Sequence, residues 1–247
     1  MKLKRIATAP ILVGTLLAGC KEPENKIVEA NPTSSFLIKL KDNNSSLKLA
    51  TNSDFKETSK KLVKQDLPGF TEAFTYQWFL SSQKGYTFDK VHSENTDCTL
   101  GLTSKEDGLM FLKYTFFVKN EGDSNSDFTM DIELADQNVN YIEYLRLAVF
   151  NGTNTPTIYA HRSKARYDSS REIYKEYISG PEGTVNYFGE AELFETETVL
   201  ATVSNSLCAN ETKMVTLLFW LEAEDNECKD VPDEAYLNIE VDISNTH

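Results

Sequence analysis

The chain has 247 residues and a formal charge of −13, from 25 Lys and Arg against 38 Asp and Glu, with 40% hydrophobic residues, four cysteines and three histidines. Binding to a phosphate backbone draws on clustered Lys and Arg that displace counterions, so a chain this acidic excludes nucleic acid as a partner. The apolar fraction is that of a globular protein, and the length suits one principal core, since all-β domains commonly pass 200 residues.

Lys2, Lys4 and Arg5 open the sequence, Ile6 to Leu17 is apolar and uncharged, and Leu17-Ala18-Gly19-Cys20 follows. This is the pattern of an export signal with a lipobox. The apolar run is far short of the roughly 20 residues that span a bilayer. It reads as a signal peptide over residues 1–19, with cleavage before Cys20 and acylation of that cysteine, whose acyl chains then hold the protein on the membrane. Cleavage removes three positive charges and no negative one, so −13 becomes −16. An acidic domain is repelled by an anionic bilayer and stands off it. Residues 20–35 are polar, with Pro23 and Pro32, and suit a flexible tether that leads into a folded domain over 36–247.

The dominant period in that domain is two. Phe36, Ile38 and Leu40 alternate with polar neighbours, and 46–50, 72–80 and 86–91 carry further strand signals. Residues 54–66, after Ser53 as N-cap and before Pro68, predict a short helix instead. Leu112, Tyr114, Phe116 and Val118 form one row and Phe128, Met130, Ile132 and Leu134 another, separated by the turn residues 120–125. Residues 110–135 therefore predict an antiparallel hairpin. Strands are expected at 145–151, 156–160, 184–189 and 197–204, and a second short helix at 168–178, stopped by Gly180-Pro181. Residues 212–221 are apolar on both faces, which predicts a central strand, and Leu237, Ile239, Val241 and Ile243 alternate in the last one. Ten to twelve strands with one or two short helices predict an all-β fold, an antiparallel two-sheet sandwich of jelly-roll or Greek-key type.

Chemistry-bearing motifs are few. His92, His161 and His247 are scattered outside any H-E-x-x-H arrangement, and G-x-S-x-G, the P-loop and the dinucleotide fingerprint are missing. A pair of carboxylates could serve a hydrolase, though a solvated acidic surface accounts for 38 acids more simply. No catalytic residue is therefore assigned. Asp123, Asn125 and Asp127 have the spacing that opens a calcium loop, but the Gly and Glu that complete an EF-hand are missing, so a turn is the simpler reading. Glu222, Glu224, Asp225 and Glu227 form a second acidic stretch where calcium is the alternative to solvated charge. Besides Cys20 there are three thiols, enough for one disulfide in an exported protein. Cys208 and Cys228 flank a strand whose ends stand roughly 30 Å apart. Cys98 with Cys228 is the favoured pair. Trp220 is the aromatic that a glycan-binding face would use, against core packing as the simpler role.

From residue 110 onward the chain resembles exported Gram-positive β-sandwich proteins of the camelysin and TasA group. The stretches that carry the likeness are Tyr114-Thr115-Phe116-Phe117-Val118-Lys119-Asn120-Glu121-Gly122, Leu145 to Gly152 with Thr157 to Ala160, and Trp220-Leu221-Glu222-Ala223-Glu224-Asp225-Asn226-Glu227-Cys228, similar to that group's W-L-E-G-x-D-P-E-C. Ala223 and Asn226 depart from it, and 163–183 has the look of an insertion. The resemblance implies a jelly-roll-like sandwich at the cell surface, in a group where some members assemble by passing an N-terminal strand to a neighbour. Residues 36–40 are the candidate donor, with pairing inside their own domain as the simpler arrangement. The expectation is a non-enzymatic, lipid-anchored protein facing outward, with matrix proteins, surface proteins, its own copies or a glycan as partner.

Overall fold

A computed structural model describes residues 33–42, 46–67, 69–70, 111–136, 141–153, 155–161, 165–168, 173–179, 185–222 and 235–246, with the backbone alone over 165–168, 173–179 and 185–190. The fold is nearly all β, two sheets packed face to face. The smaller holds five strands, β1 (Ser34–Leu40), β3 (Lys61–Leu67), β5 (Ser126–Leu134), β11 (Val199–Leu207) and β13 (Asn238–Asn245), in the order β11-β5-β13-β1-β3. The larger holds eight, β2 (Leu47–Ala50), β4 (Phe111–Asn120), β6 (Leu145–Asn151), β7 (Thr157–Ala160), β8 (Ala165–Asp168), β9 (Ile173–Ser179), β10 (Val185–Leu193) and β12 (Thr212–Leu221), in the order β2-β4-β12-β6-β7-β10-β9-β8.

The alternating rows set which face is inward. Phe36 and Ile38 of β1, Phe128, Met130 and Ile132 of β5, and Ile239, Val241 and Ile243 of β13 meet Leu112, Tyr114 and Phe116 of β4 and Val215, Leu217 and Phe219 of β12 in one core. Phe36 bridges the two layers, stacked on Tyr114 with ring centroids 5.2 Å apart and 5.8 Å from Phe219.

Three expectations are corrected. Residues 110–135 are two strands but no hairpin, because β4 pairs with β2 and β12 while β5 pairs with β11 and β13. The two rows face each other across the core, and alternation reports the buried face of a strand without reporting its sheet. Among the described residues no α-helix replaces 54–66 or 168–178. The first region is bends followed by β3, the second takes in the last residue of β8 and most of β9, which pair antiparallel, and the helical content of the described residues is a 3-10 turn at Ile142–Tyr144. The sheets are mixed rather than purely antiparallel, since β1 runs parallel to β13 and β7 parallel to β10. The expected strands 72–80 and 86–91 lie outside the described residues.

Residues 212–221 form a central strand, β12, between β4 and β6, and both of its faces are buried from Val215 onward. Residues 36–40 pair on both sides inside the domain, with β13 and β3, so β1 occupies an interior place in its own sheet.

Because Phe36 links both layers with no space to collapse into, Phe36→Ala should destabilise the domain by about 3–5 kcal/mol. Urea unfolding should show this as a lower midpoint at unchanged slope.

Candidate interaction surface

Parallel pairing of β1 with β13, and antiparallel pairing of the other neighbours in the five-stranded sheet, gives that sheet two distinct ends. Ser34, Leu67, Leu134 and Leu237 gather at the end where β1 begins, and Leu40, Asn120, Leu207 and Asn245 at the far end. At the far end the chain crosses three times between sheets, from β4 to β5, from β11 to β12 and from β1 to β2, and the Asn120 side chain binds all three crossings. Its Nδ2 donates to the carbonyls of Ser124 at 2.7 Å, Cys208 at 3.2 Å and Leu207 at 3.3 Å. Its Oδ1 accepts from Gly122 N and Ser46 Oγ, both at 2.9 Å. Asn120 is fully buried. A Cβ at Gly122 would lie 3.0 Å from Ser46 Cβ, which is why the loop carries glycine there. Asn210, at φ 63°, turns the second crossing, and Glu211 Oε2 accepts from Cys208 N at 2.7 Å. Loops held this firmly form a preorganised surface.

The outer face of the five-stranded sheet is polar and ordered by register. Asp131, Asp242, Lys39 and Lys61 stand side by side across β5, β13, β1 and β3, and Glu133, Glu240, Leu37 and Val63 form the next row. Like charges directly opposite each other are unfavourable. They are offset by Lys39, which reaches both Glu240 and Asp242, and by Lys41, 2.8 Å from Asp242 Oδ2. Thr202 Oγ1 donates to Asp131 at 3.0 Å. The bond to Asp242 raises the Lys41 pKa above its ordinary value. Ser35, Leu37, Val63, Gln65, Asn238 and Glu240 line a shallow cleft of about 150 Å³. Val63, 47% exposed, is the one large apolar side chain exposed among the described residues. β3 ends in a bulge with Asp66 at φ 58°, and it carries Lys61 and Lys64, so this sheet edge is blunted against further strands.

The outer face of the larger sheet is instead buried at its centre. Phe111, Trp220 and Arg146 form one row there, Lys113, Leu218 and Ala148 the next, then Thr115, Thr216 and Phe150. Trp220 is fully buried and its Nε1 donates to Glu222 Oε2 at 3.2 Å, so it is a packing residue and offers no stacking face to a sugar. Thr115 and Thr216 share a hydrogen bond of 2.9 Å. Arg146 Nη1 donates to the carbonyls of Leu145 at 3.0 Å and Glu143 at 3.2 Å. This buried polar set escaped the sequence reading, and the charged residues at alternate positions in otherwise apolar strands, Lys113 and Arg146, were its one visible sign.

The remaining expected site residues do not converge. Asp123, Asn125 and Asp127 are exposed along the 121–127 stretch, and among the described residues no three His, Cys, Asp or Glu stand together as metal ligands. Glu224, Asp225, Glu227, Cys20, Cys98 and Cys228 lie outside the described residues. Cys208 is an exposed free thiol. The cleft holds a single carboxylate, Glu240. Comparison with family models, with curated proteins and with solved structures finds no match.

Asn120→Ala strips several loop groups of their partner at once, and a loss of about 2–4 kcal/mol is expected, with amide exchange accelerated at Gly122 and its neighbours and unchanged in β13. A second expectation concerns alkali. Burial raises the Tyr141 phenol well above its ordinary value and Tyr159 to about 12, and Tyr141 Oη donates to the Tyr236 carbonyl. All three shifted groups, with Lys41, have folded pKa values above the unfolded ones, so their stabilisation is complete below pH 10 and is lost above it. Denaturant midpoints measured from pH 8 to pH 12 should fall beyond about pH 10, and Tyr141→Phe should flatten that fall.

Proposed function

We propose that the chain is a lipid-anchored bacterial surface protein whose sandwich works by contact with other macromolecules and without catalysis. The observation that carries this reading is Leu17-Ala18-Gly19-Cys20 after a basic and apolar leader, followed by a polar tether into β1 at Ser34. Fourteen chain steps separate Cys20 from Ser34. At full extension they reach at most about 50 Å. A domain held at its tether end presents the far end outward, where Asn120 fixes the crossing loops, and leaves the outer face of the five-stranded sheet open sideways. With Trp220 in the core and one carboxylate in the cleft, contact accounts for the described surface better than sugar binding or hydrolysis does.

Fractionation of producing cells tests the anchor. The full chain should sediment with membranes and carry the mass of acyl chains, and Cys20→Ala should lose both. Equal membrane retention of the variant would sink the reading. Deletion of the protein should lower cell aggregation or biofilm mass, which separates a contact role from a bystander.

A further inference from the structure

We infer that the outer face of the five-stranded sheet is a docking surface for a second copy of the same chain. Across β5, β13, β1 and β3 the row Asp131, Asp242, Lys39, Lys61 reads acid, acid, base, base, one residue per strand. Strands of one sheet stand about 4.8 Å apart, so the four groups are evenly spaced. A two-fold axis along the strands, between β13 and β1, turns this row onto its own complement. Asp131 then faces Lys61 of the second copy, and Asp242, itself buried and held by Lys39 and Lys41, comes opposite Lys39 of the second copy; each contact occurs twice, as in any isologous interface. The opposite choice of axis, across the strands, would set acids against acids, so the charge order selects one orientation.

The same register decides which contacts are new. Lys39 and Asp242 are adjacent and already bonded within one copy, with Nζ 3.2 Å from Oδ1. Asp131 and Lys61 stand three strands apart, about 14 Å, too far to pair within a copy. Their complementarity is spent only between copies. On one flank of the row Thr129 and Ser244 are short, so the two faces can approach closely there, and on the other flank Glu133 and Glu240 come opposite Val63 and Leu37 of the second copy. With the axis between β13 and β1 the strands β5, β13, β1 and β3 overlap, about 19 Å across and about 23 Å along the seven residues of β1, which gives roughly 440 Å² per partner. A stable soluble dimer buries about 800 Å² per partner. This interface is therefore weak in dilute solution and suited to copies crowded on one surface, where tethering raises the effective concentration.

The inference names a partner for the surface proposed above and rests on that reading only for the crowding. Its test is sedimentation of the full chain in detergent micelles, which does not depend on membrane attachment in cells. The wild type should associate as concentration rises, more weakly at 0.5 M than at 0.05 M salt, as screening requires. Lys61→Glu and Asp131→Lys should each weaken association at least about tenfold, by placing like charges opposite each other twice. A one-to-one mixture of the two variants should restore it, because Glu at 61 then meets Lys at 131 while Asp131 meets Lys61; misfolded variants could not complement in this way. A wild type that stays monomeric, single variants that associate like the wild type, or a mixture no better than its components would each overturn the proposal.

Discussion

The parallel ladder between β1 and β13 is the constraint on which the rest of the domain depends. It joins the first described strand to the last over six paired positions, from Ser35 with Asn238 to Leu40 with Ile243. The Ser34 side chain continues it by accepting from Leu237 N at 3.0 Å. Parallel strands cannot be joined by a tight turn, so this pairing spans almost the whole chain and carries a large loop-closure cost. Burial of Phe36, Ile38, Ile239, Val241 and Ile243 against the larger sheet offsets that cost. Without the ladder the β1–β3 pair would lose its attachment to β13, and the acid half and base half of the outer face would be separated.

The period-two signal made the core rows legible, because a strand with one face in the core must alternate. It could not assign the strands to sheets. Tyr114 and Met130 are both inward residues of neighbouring strands in sequence, yet they belong to opposite layers, and a five-residue loop serves a crossing as well as a hairpin. The pairing of Lys39 with Asp242 was equally hidden, because it depends on register between residues 203 apart. Over 54–66 and 168–178 the capping and charge signals of a helix were present, but pairing partners on neighbouring strands decided the outcome, as tertiary context commonly does for short segments. The continuous apolar run of β12 was the exception in which sequence alone reached the correct environment, since a strand buried on both faces has no other way to read.

The two faces of the sandwich treat charge in opposite ways. On the five-stranded sheet Lys39 and Glu240 remain about a third exposed, so their pairing costs little and stabilises little. On the eight-stranded sheet Lys113, Arg146 and Glu222 are almost wholly buried, and each has a partner. Removing one partner from a buried charge is far more damaging than losing a surface pair. The buried set thus fixes how the central strands β4, β12 and β6 are covered, and the exposed set remains free to exchange partners. That division leaves the smaller sheet as the side of the molecule able to meet another surface.

Net charge adds the last step. A chain with a formal charge of −13 repels its copies at long range. Contact between copies then requires a local arrangement that reverses the sign at short range, within about one Debye length of 8 Å. A row of two acids and two bases has no net charge, so it does not add to the repulsion, while its order supplies attraction in one orientation only. A neutral, ordered row on an otherwise acidic protein therefore favours few and oriented contacts over indiscriminate aggregation, and the bulge and lysines of β3 act in the same direction by closing the sheet edge to unspecific strand addition.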